Sequence, residues 1–364
     1  MLHFEKFFQE GIKLGASDLH ISSTLPPSLR INGELTEIKD AQPVTPQEIN
    51  EFTQDLVTRE KWDSYVKTGD LDFGFSVQHE NGKGSTRIRA SVFRELRGCS
   101  ATFRFIPARI RSIDELGLPA ILKDFAAKHR GLFLTTGPTG SGKSSTLAAV
   151  INEINETRNC HIVTAEDPIE YIHTSKKAII HHREVGSDTQ TFASAIRHVL
   201  RQDPDVILIG EMRDLETIAA AITAAETGHL VLGTLHTQDA SQSVERLIDV
   251  FPPHQQNQIR LQLSYILIGI CSQQLIATTD FSGIATGRAC ATEILIANPA
   301  VRASIREGKA NQLRNTMQTG ASIGMHTMEQ DLARLIRDGV LTREAALRNA
   351  YDPAELERTL SKGF

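Results

Sequence analysis

The sequence predicts a mixed α/β fold in two parts, a small α+β unit followed by a larger unit built on a parallel sheet. A chain of 364 residues is longer than one ordinary domain. Beyond residue 119, short apolar runs alternate with helical patterns, which is typical of strands buried between helices. A glycine-rich loop stands between one of these runs and the next helix, which is where α/β proteins bind anions.

Composition excludes several classes of protein. Hydrophobic residues make up 40% and charged residues 23%, as in globular proteins. A net charge of −5 disfavours a nucleic-acid partner. The longest strongly apolar run, 265–271, is shorter than the ~20 residues of a spanning helix, so we expect no direct membrane span. Four scattered cysteines favour a reduced, cytosolic compartment over a disulfide framework or a Cys-x-x-Cys zinc site: Cys99, Cys160, Cys271 and Cys290.

Residues 1–106 are predicted to form the α+β unit. Asn-Gly and Gly-rich dipeptides between alternating apolar residues indicate hairpin turns. We expect, in chain order, a helix over 4–13, a hairpin over 28–35 that turns at Asn32-Gly33, helical structure over 46–67, and a hairpin of 71–77 with 86–93 that turns at 81–84.

A proline-flanked, charged segment, 107–118, is predicted to link this unit to the next. The core of the second unit is expected over 119–297, followed by a helical region over 298–364. Four runs are predicted to be strands of its parallel sheet: 132–136, 160–165, 206–210 and 230–235.

The glycine-rich loop follows the run 132–136 and precedes a helical pattern over 145–154. This context is typical of a phosphate-binding loop and disfavours a glycine-rich turn that binds no ligand. Its glycines allow backbone N–H groups to point at phosphate oxygens, Lys143 can reach the β and γ phosphates, and the Ser144 hydroxyl can bind Mg²⁺. We therefore predict ATP and Mg²⁺ as ligands. The nucleotide-binding candidates are Gly137, Pro138, Thr139, Gly140, Ser141, Gly142, Lys143, Ser144 and Ser145.

Acidic residues follow two other predicted strands, and ligands of open α/β sheets bind at the carboxyl ends of the strands. Glu211 comes after 206–210, but the usual Mg²⁺-supporting aspartate before it is replaced by Gly210. We therefore expect Glu211 to orient or deprotonate the attacking water, and Glu166, with Asp167, to hold Mg²⁺ through its waters. Helix capping or arginine binding is the alternative for these carboxylates.

Histidines raise two further possibilities. His236 follows the strand 230–235 and could sense the γ phosphate or polarise water, with a structural hydrogen bond as the equal alternative. His229 lies at the opposite end of that strand and is the weaker candidate. The pair His181-His182, near His173, suggests a metal site, but adjacent histidines seldom face one ion and no cysteine joins them.

Arginines recur in the last strands of the first unit: Arg87, Arg89, Arg94, Arg97 and Arg104. P-loop ATPases often need an arginine from another domain or subunit to neutralise transition-state charge. Strand alternation places Arg87 and Arg89 on one face. A solvated strand face is the alternative for any one of them.

Four segments, in order, resemble the signatures of the secretion ATPases of type II and type IV pilus systems, and among them the PilT-like pilus retraction ATPases. They are the Walker A loop 137–144, an Asp box over 165–170, an atypical Walker B over 201–214, and a His box over 225–237. The opening residues 15–20 also match, so that the resemblance covers nearly the whole chain.

The resemblance implies a PAS-like N-terminal domain, a RecA-like ATPase domain and a C-terminal helical extension, assembled as a homo-hexamer with head-to-tail interfaces. It implies that Arg89, Arg94 and Arg104 approach the nucleotide and that His229 participates. It also implies a cytoplasmic protein, held peripherally at the inner membrane by a pilus platform protein, with a paralogous ATPase as a further possible partner.

Among relatives, assembly and type II secretion ATPases carry an extra N-terminal domain and usually a four-cysteine zinc element, and we expect neither in this protein. The segment 300–307 has the arginines and the glutamate of a retraction-ATPase signature, but its middle residues differ from that signature. We therefore expect an ATPase motor for type IV pilus retraction and twitching motility. A secretion-linked or auxiliary paralogue and a catalytically silent ring scaffold remain alternatives, and a nucleic-acid translocase or a small-molecule kinase is disfavoured.

Overall fold

The computed structural model describes residues 2–31, 34–80, 82, 84–107, 109–279 and 285–361, and the chain divides into two compact units. The first unit is formed by the chain up to Ile110 together with Glu166–His173 and His182–Gln190. The second unit is formed by Arg111–Ala165, Thr174–His181 and the chain from Thr191 onward. The predicted α/β fold class is confirmed.

The first unit is an antiparallel sheet with three helices. Its elements are α1 (Leu2–Leu14), β1 (Asp18–Ser22), β2 (Leu25–Ile31), β3 (Glu34–Glu37), α2 (Pro46–Leu56), α3 (Arg59–Thr68), β4 (Asp70–Gln78), β5 (Ser85–Glu95) and β6 (Gly98–Ile106). The six strands lie in the order β3-β2-β1-β6-β5-β4. Phe8, Leu19, Ile88 and Phe103 are among the buried residues of its core.

Local sequence signals explain most of these elements. Both predicted hairpins are confirmed, as β2 with β3 and β4 with β5; the turn residues Asn32, Gly33, Asn81 and Lys83 lie outside the described residues. The helical stretch predicted over 46–67 is two helices, because two N-caps occur within it. Thr45 forms a capping box with Glu48, and Thr58 caps the second helix through the N–H of Lys61.

The second unit is centred on a mostly parallel sheet. Its elements are α4 (Ile121–Ala126), β7 (Gly131–Thr136), α5 (Lys143–Thr157), β8 (His161–Glu166), β9 (Ile179–Glu184), α6 (Phe192–Val199), β10 (Val206–Ile209), α7 (Leu215–Glu226), β11 (Leu230–Leu235), α8 (Ala240–Asp249), α9 (Pro253–Ile266), β12 (Leu267–Thr279) and β13 (Ala285–Ile296). The strand order is β13-β12-β7-β11-β10-β8-β9; the last residue of β8, Glu166, and the residues His182–Glu184 of β9 belong to the first unit. Strands β12, β7, β11, β10 and β8 run parallel, and β13 runs antiparallel to β12.

The four predicted strands are confirmed as β7, β8, β10 and β11. Burial on both faces explains their apolar sequences, since Leu132 and Leu134 enter one hydrophobic cluster and Phe133 enters another. Three further strands of this sheet, β9, β12 and β13, were not predicted. The apolar run 265–271 is divided between the end of α9 and the start of β12, and a short apolar run does not by itself distinguish helix from strand.

From Asn298 the described residues form helices, as predicted. These are α10 (Pro299–Arg306), α11 (Leu313–Thr319), α12 (Met328–Arg337), α13 (Arg343–Asn349), α14 (Pro353–Ser361) and two short 3₁₀ helices, Ala310–Gln312 and Ala321–Ile323. A single bridge joins His326 to Ile294 of β13. Within the described ranges, no helix has both the length and the apolar character needed to cross a membrane.

Candidate nucleotide-binding and catalytic site

The glycine-rich loop joins the end of β7, at Thr136, to the start of α5, at Lys143. Three of its glycines have positive φ angles, which are strained for residues with a β-carbon: 138° at Gly137, 82° at Gly140 and 93° at Gly142. Gly142 is the N-cap of α5, so the loop leads into the amino end of a helix, where the helix dipole favours an anion. This is the geometry of an anion-binding loop.

The side chains of the loop fit a phosphate ligand. Lys143 is buried, and its Nζ donates to the carbonyl oxygens of Gly137 at 2.7 Å and Pro138 at 3.0 Å, inside the loop. The Ser141 Oγ is buried and has no hydrogen-bond partner among the described residues. A buried hydroxyl without a partner is costly, and a phosphate oxygen would satisfy it. Ser144, the second residue of α5, is exposed, so a hydrated ion can reach its hydroxyl.

The strand order brings the predicted phosphate loop and two other predicted site residues to the carboxyl end of the sheet. Leu235, at the end of β11, lies opposite Thr136 of β7, and His236 comes next. Strand β10 pairs with β11 and is followed by Gly210 and Glu211. The phosphate loop, His236 and Glu211 therefore follow the carboxyl ends of successive neighbouring strands.

Glu211 and His236 are in direct contact. The His236 Nε2 lies 2.5 Å from the Glu211 Oε1, and both side chains are partly exposed. Gly210 is held between strands, because its N–H donates to the Ala165 oxygen at 2.8 Å and its oxygen accepts from the Thr234 hydroxyl at 2.6 Å. The Arg213 Nε also contacts the Glu211 Oε1, an ion pair that sequence reasoning missed although Arg213 is only two residues away.

The Asp-box residues Glu166 and Asp167 belong to the first unit. The Glu166 Oε1 lies 3.7 Å from the Nδ1 of His182, and burial raises the pKa of the Asp167 carboxyl. His182 accepts from the His173 N–H with its Nε2, at 3.1 Å, so its proton is on Nδ1 and faces Glu166.

His181 points away from His182 and contacts a different strand. Its Nδ1 is 2.8 Å from the Nε2 of His161 in β8. Adjacent residues of a strand face opposite sides, which is why the two histidines do not converge. In the part of the chain that the structure describes, no group of three or more His, Cys, Asp or Glu side chains could hold a metal ion.

The arginines of the first unit are engaged within that unit. Arg87 and Arg89 share a face of β5, as predicted: Arg87 contacts Glu184 and Arg89 contacts Glu170, each at 3.0 Å. The remaining candidates have partners elsewhere in the unit: Arg94 donates to the Val66 oxygen at 2.7 Å and lies over the ring of Tyr65, and Arg104 pairs with Asp18 at 3.0 Å. The acceptor Glu184 was not foreseen, because the strand that carries it was not predicted.

His229 lies away from the phosphate loop. It immediately precedes β11, and its Nδ1 contacts the Ala224 oxygen at 2.9 Å. A six-residue strand spans about 20 Å, and the loop is at the other end. The structure therefore does not bring His229 to the phosphate loop of its own subunit.

Gln273 is a further residue of the loop's surroundings that sequence reasoning missed. Its side chain in β12 donates to the Thr146 hydroxyl in α5 at 2.8 Å, and it is fully buried. No sequence signal indicated it, since β12 itself was not predicted.

The fold and this site together define a P-loop ATPase with a PAS-like N-terminal domain and a RecA-like ATPase domain. Comparison with known proteins makes the class specific: the model of the family described as "Type II/IV secretion system protein" matches residues 2–348, and the chain belongs to that family.

Individual relatives match over nearly the whole chain. A type IV pilus retraction ATPase, PilT, of Pseudomonas aeruginosa is 44% identical over 341 residues, which cover 94% of this chain and 96% of the relative. A twitching motility protein of Neisseria gonorrhoeae is 45% identical over 326 residues, covering 90% and 84%. Among solved structures, the pilus retraction motor PilT with bound ADP superposes with a TM-score of 0.86 at 44% identity, covering 97% of this chain and 98% of that one. The predicted membership of the pilus ATPases is confirmed.

Proposed function

We propose that this chain is a motor subunit that hydrolyses ATP to power the retraction of type IV pili. The observation that carries the proposal is the Glu211–His236 contact, 2.5 Å long, at strand ends that neighbour the phosphate loop. A carboxylate held by an imidazole beside a phosphate site is suited to orienting and deprotonating water. Support also comes from the relatives, which are named for pilus retraction and twitching motility, and from the ADP bound in the similar structure.

In this proposal the loop residues from Gly137 to Ser145 bind the phosphates of ATP, and Lys143 contacts the β and γ phosphates. Glu211 orients and deprotonates the attacking water, and His236 fixes its carboxylate. Ser144 and, through water, Glu166 would hold Mg²⁺, which when bound would neutralise charge on the phosphates.

Arginines from the N-terminal domain supply further positive charge that stabilises the transition state. We propose Arg89, Arg94 and Arg104 for this role, each after release of its present partner: Glu170, Val66 or Asp18. His229 is assigned no step within its own subunit. We retain the domain limits 1–106, 107–118, 119–297 and 298–364 as proposals.

The proposed assembly is a ring of six copies at the cytoplasmic side of the inner membrane. A membrane-embedded pilus platform protein, and a paralogous ATPase where one is present, are the proposed partners.

The test is ATP turnover by the purified chain and by the variant Glu211→Gln, which keeps the shape of the side chain and removes its basicity. We expect turnover to fall by a factor of about 10² to 10⁴ while ATP binding is retained. Glu216→Gln is the matched control, since Glu216 is an exposed carboxylate of α7, and its turnover should equal that of the parent chain. In cells, Glu211→Gln should abolish pilus retraction. Full retraction driven by a variant that cannot hydrolyse ATP would overturn the proposal.

A further inference from the structure

The loop between β11 and α8, residues 236–239, begins with His236 and is held by two side chains that are distant in sequence. The Tyr351 hydroxyl donates to the Gln238 oxygen at 2.8 Å. The Glu293 Oε1 accepts from the N–H of Ala240, the first residue of α8, at 2.9 Å. Both bonds fix main-chain groups within four residues of His236.

Bonds to the first turn of α8 fix two other residues of the loop. The Thr237 hydroxyl lies 2.6 Å from the Ser243 hydroxyl, and Asp239 caps α8 by accepting from the Gln242 N–H at 2.8 Å. Gln238 lies between these two anchored residues. The bond from Tyr351 therefore holds Gln238, the loop residue that lies between the two residues bonded to α8.

Tyr351 has firm support of its own. The N–H of the next residue, Asp352, donates to the Glu329 Oε1 at 3.0 Å, and Glu329 is fully buried and paired with Arg314 at 2.9 Å. Burial raises the pKa of the Tyr351 phenol to about 12. The hydroxyl therefore keeps its proton, and its role as donor, throughout the physiological pH range.

We propose that Tyr351 is a positioning residue for His236, through which the C-terminal helices α12–α14 set the imidazole against Glu211. The inference rests on the proposed function, in which Glu211 and His236 act on water. The imidazole–carboxylate contact is 2.5 Å long. Displacement of the loop by about 1 Å would take it out of strong hydrogen-bond range and misplace a group next to the reacting water.

The test uses Tyr351→Phe in the full chain, which removes one hydroxyl and keeps the ring. We expect kcat for ATP hydrolysis to fall on the order of tenfold, with KM for ATP changed by less than about twofold because the phosphate loop is untouched. Tyr265→Phe is the matched control, since the Tyr265 side chain is 66% exposed on α9, and its kcat should equal that of the parent. In a His236→Ala background, Tyr351→Phe should cause no further loss of kcat, because both substitutions remove the contribution of a correctly placed His236.

Two results would overturn the inference: an unchanged kcat in Tyr351→Phe, or losses from the two substitutions that multiply in the double variant. A readout that does not depend on turnover distinguishes failure of this inference from failure of the proposed function. In ring-labelled histidine NMR spectra, the signals missing from His236→Ala identify His236, and these should shift in Tyr351→Phe and not in Tyr265→Phe. If the parent chain hydrolyses no ATP, the proposed function fails, and the NMR comparison alone decides whether Tyr351 positions His236.

Discussion

The main-chain oxygen of Gln273 closes directly over Gly137. A β-carbon added at Gly137 would lie 2.4 Å from this oxygen and 2.7 Å from the Ser141 Oγ, distances that real β-carbons do not tolerate. The φ angle of Gly137 is 138°, which alone disfavours a side chain. Glycine is therefore required here by both backbone conformation and space, and strand β12 forms one wall of the phosphate loop.

Gly137→Ala is expected to distort the loop. We predict a loss of about 1–3 kcal/mol in the free energy of unfolding from backbone strain, and ATP binding weakened by at least about tenfold as the loop moves away from Gln273. Urea unfolding and titration with a fluorescent ATP analogue measure the two effects. Gly140→Ala is the control, since Gly140 has a φ of 82° but no atom within 4 Å of its added β-carbon. Equal losses of stability and binding in the two variants would contradict the role given to Gln273.

Glu184 joins two cations of the first unit. Its carboxylate lies 3.1 Å from the Lys61 Nζ and 3.0 Å from the Arg87 Nη2, and it also accepts from the Ile169 N–H at 3.3 Å. All three charged side chains are at least 84% buried. Breaking such a cluster is costly, because it leaves charges with neither water nor a counter-charge.

Glu184→Gln is therefore expected to destabilise the first unit by about 3 kcal/mol, since Lys61 and Arg87 lose their shared counter-charge. The measurement is the midpoint of thermal unfolding at low and high salt, and the loss should persist at high salt because the cluster is shielded from solvent. Glu344→Gln is the control: Glu344 pairs with Arg348 on the surface of α13, where both side chains are about three-quarters exposed, and no measurable change is expected. A loss in Glu184→Gln that disappears in high salt would refute the buried cluster.

The sequence was informative where signals are local and failed where partners are distant. Strand β7, the phosphate loop and Glu211 were predictable because apolar runs and the residues that follow them lie side by side in the chain. Gln273 reaches Thr146 across 127 residues, and Tyr351 reaches Gln238 across 113. Pairings of this kind depend on strand order and helix packing, which a single sequence does not specify. For the same reason, the common face of Arg87 and Arg89 was predictable from strand alternation and their acceptors were not.

Glu293 is a buried carboxyl group with a raised pKa. Burial raises the pKa of Glu293 to about 7, an effect opposed by the hydrogen bond from the Ala240 N–H and by Arg314, and increased by Asp239 and Glu329. Its folded pKa is thus above that of an unfolded glutamate, about 4.3. Between these values the folded chain keeps a proton that the unfolded chain has lost, so the contribution of Glu293 to stability decreases as pH rises across this window and is constant above it.

Glu293→Gln should remove this pH dependence. The amide has no charge to bury and its oxygen can still accept from the Ala240 N–H, so the variant should gain stability relative to the parent as pH rises from 5 to 8. The gain is limited to about 3 kcal/mol by the size of the pKa change. Urea unfolding at successive pH values measures the difference, and Glu344→Gln, at an exposed carboxyl, should show a constant difference over the same range. A difference between Glu293→Gln and the parent that stays constant from pH 5 to 8 would show that Glu293 ionises normally despite its burial.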